Sequence, residues 1–332
     1  MIALATQNGL FAIVARELAA VEECLRAPAA ERGALLATVA HYALGSGGKR
    51  LRPALLLLSA RACGGENGDG ATRSIRLASA AEMMHAASLL HDDVLDHAAT
   101  RRGQPSAMAR WGSDVSVLAG DFLYARAIQD LVADQDRRIL RTFADAAVAM
   151  TEAEVLQLQR LHDLQITEGE YLRIVTGKTA ALISAACRSG ALVAGASDAV
   201  AAQLADFGLH LGIGFQLVDD ALDYSAREDR VGKPVGSDFR EGKVTFPILH
   251  LRRVATAGHR RLLEELAVCT DPSPEDLQVL RDLVDRYGAV SATMQLVAEY
   301  LDRARAELAV LPESPACQAL HRVVDFVRER DS

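Results

Sequence analysis

Apolar residues recur at three- and four-residue intervals along most of the chain, the repeat of a helix that buries one face. The pattern runs through 10–25, 35–44, 54–63, 75–95, 115–132, 139–158, 171–193, 200–224, 247–254, 277–287 and 289–308, and predicts a helix in each. Alternation of β-branched and polar residues, the mark of a strand, is hard to find. The stretches 78–90 and 180–186 are apolar nearly all round, which suits helices in the middle of a bundle. The breaks carry loop chemistry: four glycines with Asn67 and Asp69 in 64–70, a glycine and a proline in 101–105, and the longest polar break at 227–242. Ser273 as N-cap and Pro274 at the first helical position open one of the last helices. No break is long enough for a linker and no repeat of fixed period is evident. The pattern therefore predicts an all-α fold, a single domain over 1–332 with ten or more helices.

Composition narrows the function classes. Half of the 332 residues are hydrophobic, ample for a large core and too many for a disordered chain. With 36 basic and 44 acidic side chains the net charge is −8, which argues against nucleic acid, whose phosphates need a basic surface. No apolar run approaches the ~18 residues of a membrane span. The first ten residues lack the basic start of a signal peptide, so a cytoplasmic location is expected. Five scattered cysteines, Cys24, Cys63, Cys187, Cys269 and Cys317, form no CxxC and read as reduced, buried thiols.

Two segments break the apolar rule in the same way. Asp92-Asp93-Val94-Leu95-Asp96 follows the apolar 86–90, and Asp219-Asp220-Ala221-Leu222-Asp223 follows 213–218; both read D-D-x-x-D. On a helix Asp92 and Asp96 share a face, as do Asp219 and Asp223, so each pair repels itself. Acidic residues are favoured at helix N-termini, not after turns of apolar helix, so these pairs call for a cation. Since every candidate ligand is a carboxylate, the cation is hard and oxygen-loving. Magnesium fits, because it takes one or two carboxylates and completes its shell from water and substrate phosphates, and no EF-hand spacing argues for calcium.

Cations complete the pattern. Gly47-Gly48-Lys49-Arg50-Leu51-Arg52-Pro53 sets three basic residues at a glycine turn before a helix, where backbone N–H groups and the helix start favour an anion. Arg101-Arg102-Gly103 follows the first acidic motif, and Lys178, Lys233 and Lys243 lie near apolar or glycine-bearing segments. Together these suit a diphosphate bridged by magnesium. Gly177-Lys178-Thr179 is not a P-loop, since Leu172 stands where that motif needs glycine and the segment reads as helix. Gly212-x-Gly214 fails as a dinucleotide fingerprint because Leu217 stands where the third glycine belongs. His85, His91 and His97 do not share a face, which argues against zinc, but His85 lies two turns before Asp92 on the same face.

These motifs, with Gly120-Asp121-Phe122, Gly214-Phe215-Gln216 and 236–243, resemble the trans-polyprenyl diphosphate synthases, in that family's order and within 45–245. The stretch Asp238-Phe239-Arg240-Glu241-Gly242-Lys243 is most similar to bacterial long-chain enzymes that make quinone side chains. The resemblance implies an all-α prenyltransferase, a homodimer, with a central cavity between the two Asp-rich helices. It implies about three magnesium ions on the allylic diphosphate, with Asp92, Asp96 and Asp219 as ligands and Asp93, Asp220 and Asp223 in support. Lys49, Arg52, His85 and Arg102 would bind isopentenyl diphosphate. Arg101, Lys178, Thr179, Gln216, Lys233 and Lys243 would meet the allylic diphosphate. Departures are mild: Gly177 stands where a larger residue is common, Phe246 where leucine is common, and 97–100 is less acidic than usual.

The implied reaction is head-to-tail condensation of isopentenyl diphosphate onto an allylic primer. Charge on the departing diphosphate would be met by the cations, and the proton lost to that diphosphate, since no His or Glu stands out as a base. In this family the residues four and five before the first aspartate, here Ser88 and Ala87, control tail length. Both are small, with Met84 one turn further as a partial floor, which implies a long product and at most transient membrane contact on its release. The alternatives are a shorter-chain farnesyl or geranylgeranyl synthase, a terpene cyclase, in which Lys49 and Arg52 would be idle, or a non-catalytic subunit of a heteromeric synthase, which would be expected to lack one acidic motif.

Overall fold

The structure is a computed structural model and describes residues 9–26, 34–45, 48–65, 69–225, 236–269 and 272–330. The predicted helices are present, with the short α5 unforeseen among them: α1 Ala15–Arg26, α2 Ala34–Gly45, α3 Leu51–Ala62, α4 Asp69–Leu95, α5 Ala107–Trp111, α6 Ser113–Val132, α7 Arg137–Gln159, α8 Glu168–Val175, α9 Ala181–Val193 and α10 Asp198–Ser225. After them come α11 Ser237–Arg240, α12 Phe246–Val254, α13 Ala257–Ala267, α14 Pro274–Arg286, α15 Ala289–Glu307 and α16 Pro315–Arg328. The all-α expectation holds but for one hairpin, β1 Thr100–Arg101 with β2 Gln104–Pro105. No described helix is long and apolar enough to cross a membrane.

Contacts divide the chain into two compact units. The first comprises Met1–Asp145, Leu182–Gly208 and Glu307–Val323. In it α4 packs against α6, α3 and α1. The stretch predicted to be apolar all round, 78–90, is enclosed over most of its length: Met83, Met84, Ala87 and Leu90 are each at most 2% exposed, while His85, Ser88 and Leu89 are half-buried. Leu55, Leu56 and Leu58 of α3 are fully buried, each contributing about 1.5–3 kcal/mol of transfer free energy. One end of α4 is tied by Arg73, whose Nε and Nη2 both donate to the buried Asp134 carboxylate at 2.9 Å. The other end carries the first acidic motif.

The second unit comprises Ala146–Ala181, Leu209–Ala306 and Val324–Ser332. The helix predicted over 171–193 proves to be α8 and α9 joined by one π-helical turn, Thr176–Ala180; α8 and the turn belong to this unit. Such turns occur mostly as single bulges inside helices, often at functional sites. A Cβ on Gly177 would lie 2.5 Å from both Ala149 O and Ala153 Cβ of α7, so only glycine lets the turn approach that helix. That is the physical reason for the glycine where a larger residue is common. Capping boxes at Thr167/Glu170 and Ser273/Asp276 start α8 and α14, the second as predicted, with Pro274 at its first position.

Candidate functional site

In the first unit the α4 C-terminus, the start of α3 and the hairpin bring together five of the predicted cations and His85. Strand register pairs Arg101 with Gln104, leaving Arg102 and Gly103 as a two-residue turn with φ 52° and 74°. Positive φ at both positions is the type I′ geometry that suits the strand twist, and it sets the direction of Arg102. Arg102 Nη1 lies beside Gly48, 3.1 Å from where that residue's Cβ would stand. Arg50, also left-handed at φ 47°, is bound to Glu22, to Glu82 at 2.8 Å and to Leu44 O at 2.7 Å. It thus locks the turn that presents the exposed Lys49 and the half-buried Arg52. Arg52 Nε is buried without a hydrogen-bond partner. Burial and the neighbouring Arg102 pull the Arg52 pKa down to about 10, against the attraction of Glu82. His85 is held neutral, its pKa well below the usual value, by burial first and then by Arg52, Arg102, Arg101 and Arg50. A neutral imidazole inside a ring of guanidinium groups is a site for an anion.

The acidic motif on the same helix divides its labour. Asp93 is 3% exposed and accepts Arg101 Nε at 2.5 Å, whereas Asp92 and Asp96 are half-buried. The predicted chain-length positions also differ from one another. Ala87 and Met84 are enclosed in the core, while Ser88 is half-buried and its hydroxyl donates to His85 O at 2.9 Å.

The second unit repeats the division. Asp220 is 3% exposed and both of its oxygens are taken: Tyr171 Oη donates to Oδ2 at 2.5 Å and Gln216 Nε2 to Oδ1 at 2.8 Å. Thr179 Oγ1 in turn donates to Gln216 Oε1 at 2.7 Å. This relay joins the acidic motif to the π turn that carries Lys178, itself paired with Glu154 at 2.7 Å. Burial, with Asp219 and Asp223 nearby, pushes the Asp220 carboxyl up to about 7, against the bonds from Tyr171 and Gln216. Asp223 receives Ser237 Oγ at 2.8 Å and the backbone N–H groups of Ser237 and Asp238, and so caps α11. Burial, Asp223 and Asp220 raise the Asp238 pKa well above the usual range. Asp219 is half-exposed and paired with Arg330 at 2.8 Å, whose guanidinium lies over the Phe215 ring at 4.3 Å. Lys243 lies beyond the α11 turn, with its ammonium on Glu241 at 2.5 Å. Lys233 lies outside the described residues.

Sequence reasoning missed the partners. Glu82, a lone carboxylate three residues before His85 in an apolar run, was a usable signal, because a buried acid demands a cation. Tyr171 and Arg330 are distant in sequence from the aspartates they bind and carried no such signal. The expectation of buried thiols holds for Cys187 and Cys317 and is corrected at Cys24, which is exposed, and at Cys63 and Cys269, which are half-buried; all five cysteines are free.

Among the described residues no three Asp, Glu, His or Cys side chains converge into a ready-made metal cage. The half-exposed carboxylates suit a cation that brings most of its own oxygen ligands. The geometry therefore offers anion binding beside His85 and carboxylates for a hard cation in each unit, next to apolar helix. A family model described as polyprenyl synthetase matches residues 33–284. Octaprenyl diphosphate synthase of Escherichia coli (strain K12) is 36% identical over 297 residues, covering 90% of each chain. A short chain isoprenyl diphosphate synthase of Methanothermobacter thermautotrophicus is likewise 36% identical, over 89% of this chain and 90% of its own. The crystal structure of a decaprenyl diphosphate synthase from Rhodobacter capsulatus superposes with a TM-score of 0.91 at 37% identity, over 97% of this chain and 98% of that one. On the match over residues 33–284 and these near full-length relatives, the chain belongs to the polyprenyl synthetase family.

Proposed function

We propose that this chain condenses isopentenyl diphosphate head-to-tail onto an allylic diphosphate primer and repeats the step to a long all-trans polyprenyl diphosphate, the side chain of a quinone. The observation that carries the reading is the first-unit cluster: Arg52 of α3 and a neutral His85 of α4 for one diphosphate, with the half-exposed Asp92 and Asp96 at the C-terminal end of α4. The whole chain, 1–332, acts as one catalytic domain.

Lys49, Arg52, Arg102 and His85 bind the isopentenyl diphosphate. The arginines meet its charge, and His85, kept neutral, adds a hydrogen bond without adding to their repulsion. Asp92 and Asp96 of the first unit and Asp219 of the second would hold magnesium, about three ions with the allylic diphosphate. When bound, that metal neutralises the diphosphate as a leaving group. Asp93 and Asp220 hold Arg101 and Gln216 in place, and Asp223 holds the turn before Lys243. Arg101, Lys178 and Lys243 are then fixed charges for the negative charge that develops as the C–O bond ionises. The carbocation is protected from water by the apolar helices. Its attack by the isopentenyl double bond is followed by loss of a proton to the released diphosphate.

The protein is a homodimer in the cytoplasm, consistent with five free thiols and with Leu118, Ile128 and Val132, which leave an exposed apolar stripe on α6 at 58, 45 and 56% exposure. Turnover of labelled isopentenyl diphosphate with an allylic primer and magnesium tests the reading. Asp92→Ala and Asp219→Ala should each cut turnover by orders of magnitude with helical circular dichroism unchanged. Normal turnover in both would overturn the ligand assignment; no turnover in the wild type under any primer would favour a subunit that needs a second chain.

A further inference from the structure

We propose that His162 is a positioning residue for Lys243, a clip that fixes the turn from which the lysine reaches the diphosphate; the inference rests on the role given to Lys243 above. Three segments of the second unit meet at this histidine. It follows α7 in a left-handed conformation, φ 60°, that costs a non-glycine residue energy and persists only where surroundings impose it. Its backbone N–H donates to Gly242 O at 2.7 Å. Its Nδ1 lies 3.0 Å from Ala267 O at the end of α13 and donates to it. Its ring covers Gly242: a Cβ there would stand 2.5 Å from Nε2 and 2.7 Å from Cδ2.

Gly242 has φ 80°, so this residue is glycine for two independent reasons, the backbone angle and the ring above it. The residue after it is Lys243, whose N–H closes the turn on Asp238 O at 2.8 Å. From the α11 side the turn is held through Asp223, which caps α11. From the other side it is held by His162. Loss of the ring leaves Gly242, the freest residue in the chain's conformational terms, as the hinge directly before the lysine. Lys243 then samples directions that do not meet the diphosphate, while the helices around it are unaffected.

The test is a double-mutant cycle on the full chain with isopentenyl diphosphate, an allylic primer and saturating magnesium. His162→Asn is the primary variant, because asparagine tolerates left-handed φ and the backbone is not forced to unfold; His162→Ala is its companion. With thermal unfolding measured alongside, His162→Asn should lower kcat about tenfold with the melting temperature nearly unchanged, and should add less than about twofold in a Lys243→Ala background. An equal loss in both backgrounds, or no loss in the wild-type background, overturns the clip. A Lys243→Ala chain with normal kcat and normal KM for the primer overturns instead the role given to Lys243.

Discussion

Gly177→Ala is the sharpest perturbation the structure offers, because it moves Lys178 and Thr179 without changing either. The added methyl would stand 2.5 Å from Ala149 O and from Ala153 Cβ, about 0.5 Å inside the closest approach real Cβ atoms make. One obstacle is backbone, so the π turn must retreat from α7 rather than a side chain swing away. Overpacking of this kind costs about 1–3 kcal/mol, offset by up to about 1 kcal/mol for replacing glycine within a helix. The net loss is then about 0–3 kcal/mol, a fall of a few degrees in melting temperature for a chain of this size. Catalysis is more sensitive: a displacement approaching 1 Å can cost on the order of 10²-fold. The relay from Thr179 through Gln216 to Asp220 would lengthen at its 2.7 Å link. The expected signature is therefore a turnover loss far larger than the stability loss, measured as kcat/KM for the allylic substrate beside differential scanning calorimetry. Ala153→Gly removes one of the two obstacles, so the double variant should recover part of the activity. Turnover within twofold of wild type in Gly177→Ala alone would refute the reasoning, since the turn would then have room the structure denies it.

Arg52→Ala should raise KM for isopentenyl diphosphate with a smaller effect on the primer, and Lys49→Ala likewise; an effect confined to the primer would show the two diphosphate assignments to be exchanged. His85 has a depressed folded-state pKa, so the unfolded chain takes up the proton first as pH falls through about 6.5, and stability present above that pH is lost below it. Urea titrations at pH 7.5 and 5.5 should show a shallower loss in His85→Gln than in wild type, by up to about 1 kcal/mol, and equal losses would contradict the ring of guanidinium groups as its environment. Product length should respond more cleanly to Ser88→Phe than to Ala87→Phe, because Ser88 is half-buried on the side of Asp92 whereas Ala87 is enclosed in the core and its enlargement strains packing first. Mass analysis of dephosphorylated products decides it: a long wild-type tail, on the order of eight to ten isoprene units of buried apolar chain, should shorten sharply in Ser88→Phe, and a wild type stopping at three or four units would refute the long-chain reading.

The helices were legible wherever one periodic face met a core, and the acidic motifs were legible because each interrupts an apolar run. The elements not foreseen have identifiable reasons. The hairpin at 100–105 is held by a turn of two left-handed residues, one of them Arg102, a residue type that does not advertise that conformation. The π turn was hidden because Tyr171 to Val193 keeps a helical pattern through it, and the insertion shows only in which residues face α7. Helices α13 and α16 were passed over where prolines and polar residues broke the reading, although Leu320, Val323, Val324 and Val327 line one fully buried face of α16. Pairings such as Tyr171 with Asp220 and Arg330 with Asp219 join residues 49 and 111 positions apart and are decided by packing, which periodicity along the chain does not encode.

Both motifs lie in the last turns of their helices, where the backbone dipole is negative and carboxylates are least welcome. The chain relieves this unequally. In each motif the middle aspartate is buried and bound within the protein, Asp93 to Arg101 and Asp220 to Tyr171 and Gln216, so its cost is met on folding. The first aspartate of each is left half-exposed at the surface of apolar helix. A motif built only for ligation would expose all three; one built only for structure would bury all three. The mixed arrangement makes the helix end rigid through one carboxylate and keeps another at the surface, Asp219 there on Arg330, where a cation that arrives with its own oxygen ligands can reach it. On this reasoning Asp220→Asn and Asp219→Asn should separate: the first keeps the hydrogen-bonded shape but reverses the bond with Gln216, disturbing Thr179 and lowering kcat at any magnesium concentration, whereas the second should raise the magnesium concentration needed for half-maximal turnover. Indistinguishable magnesium titrations of the two variants would show that the division of labour is not there.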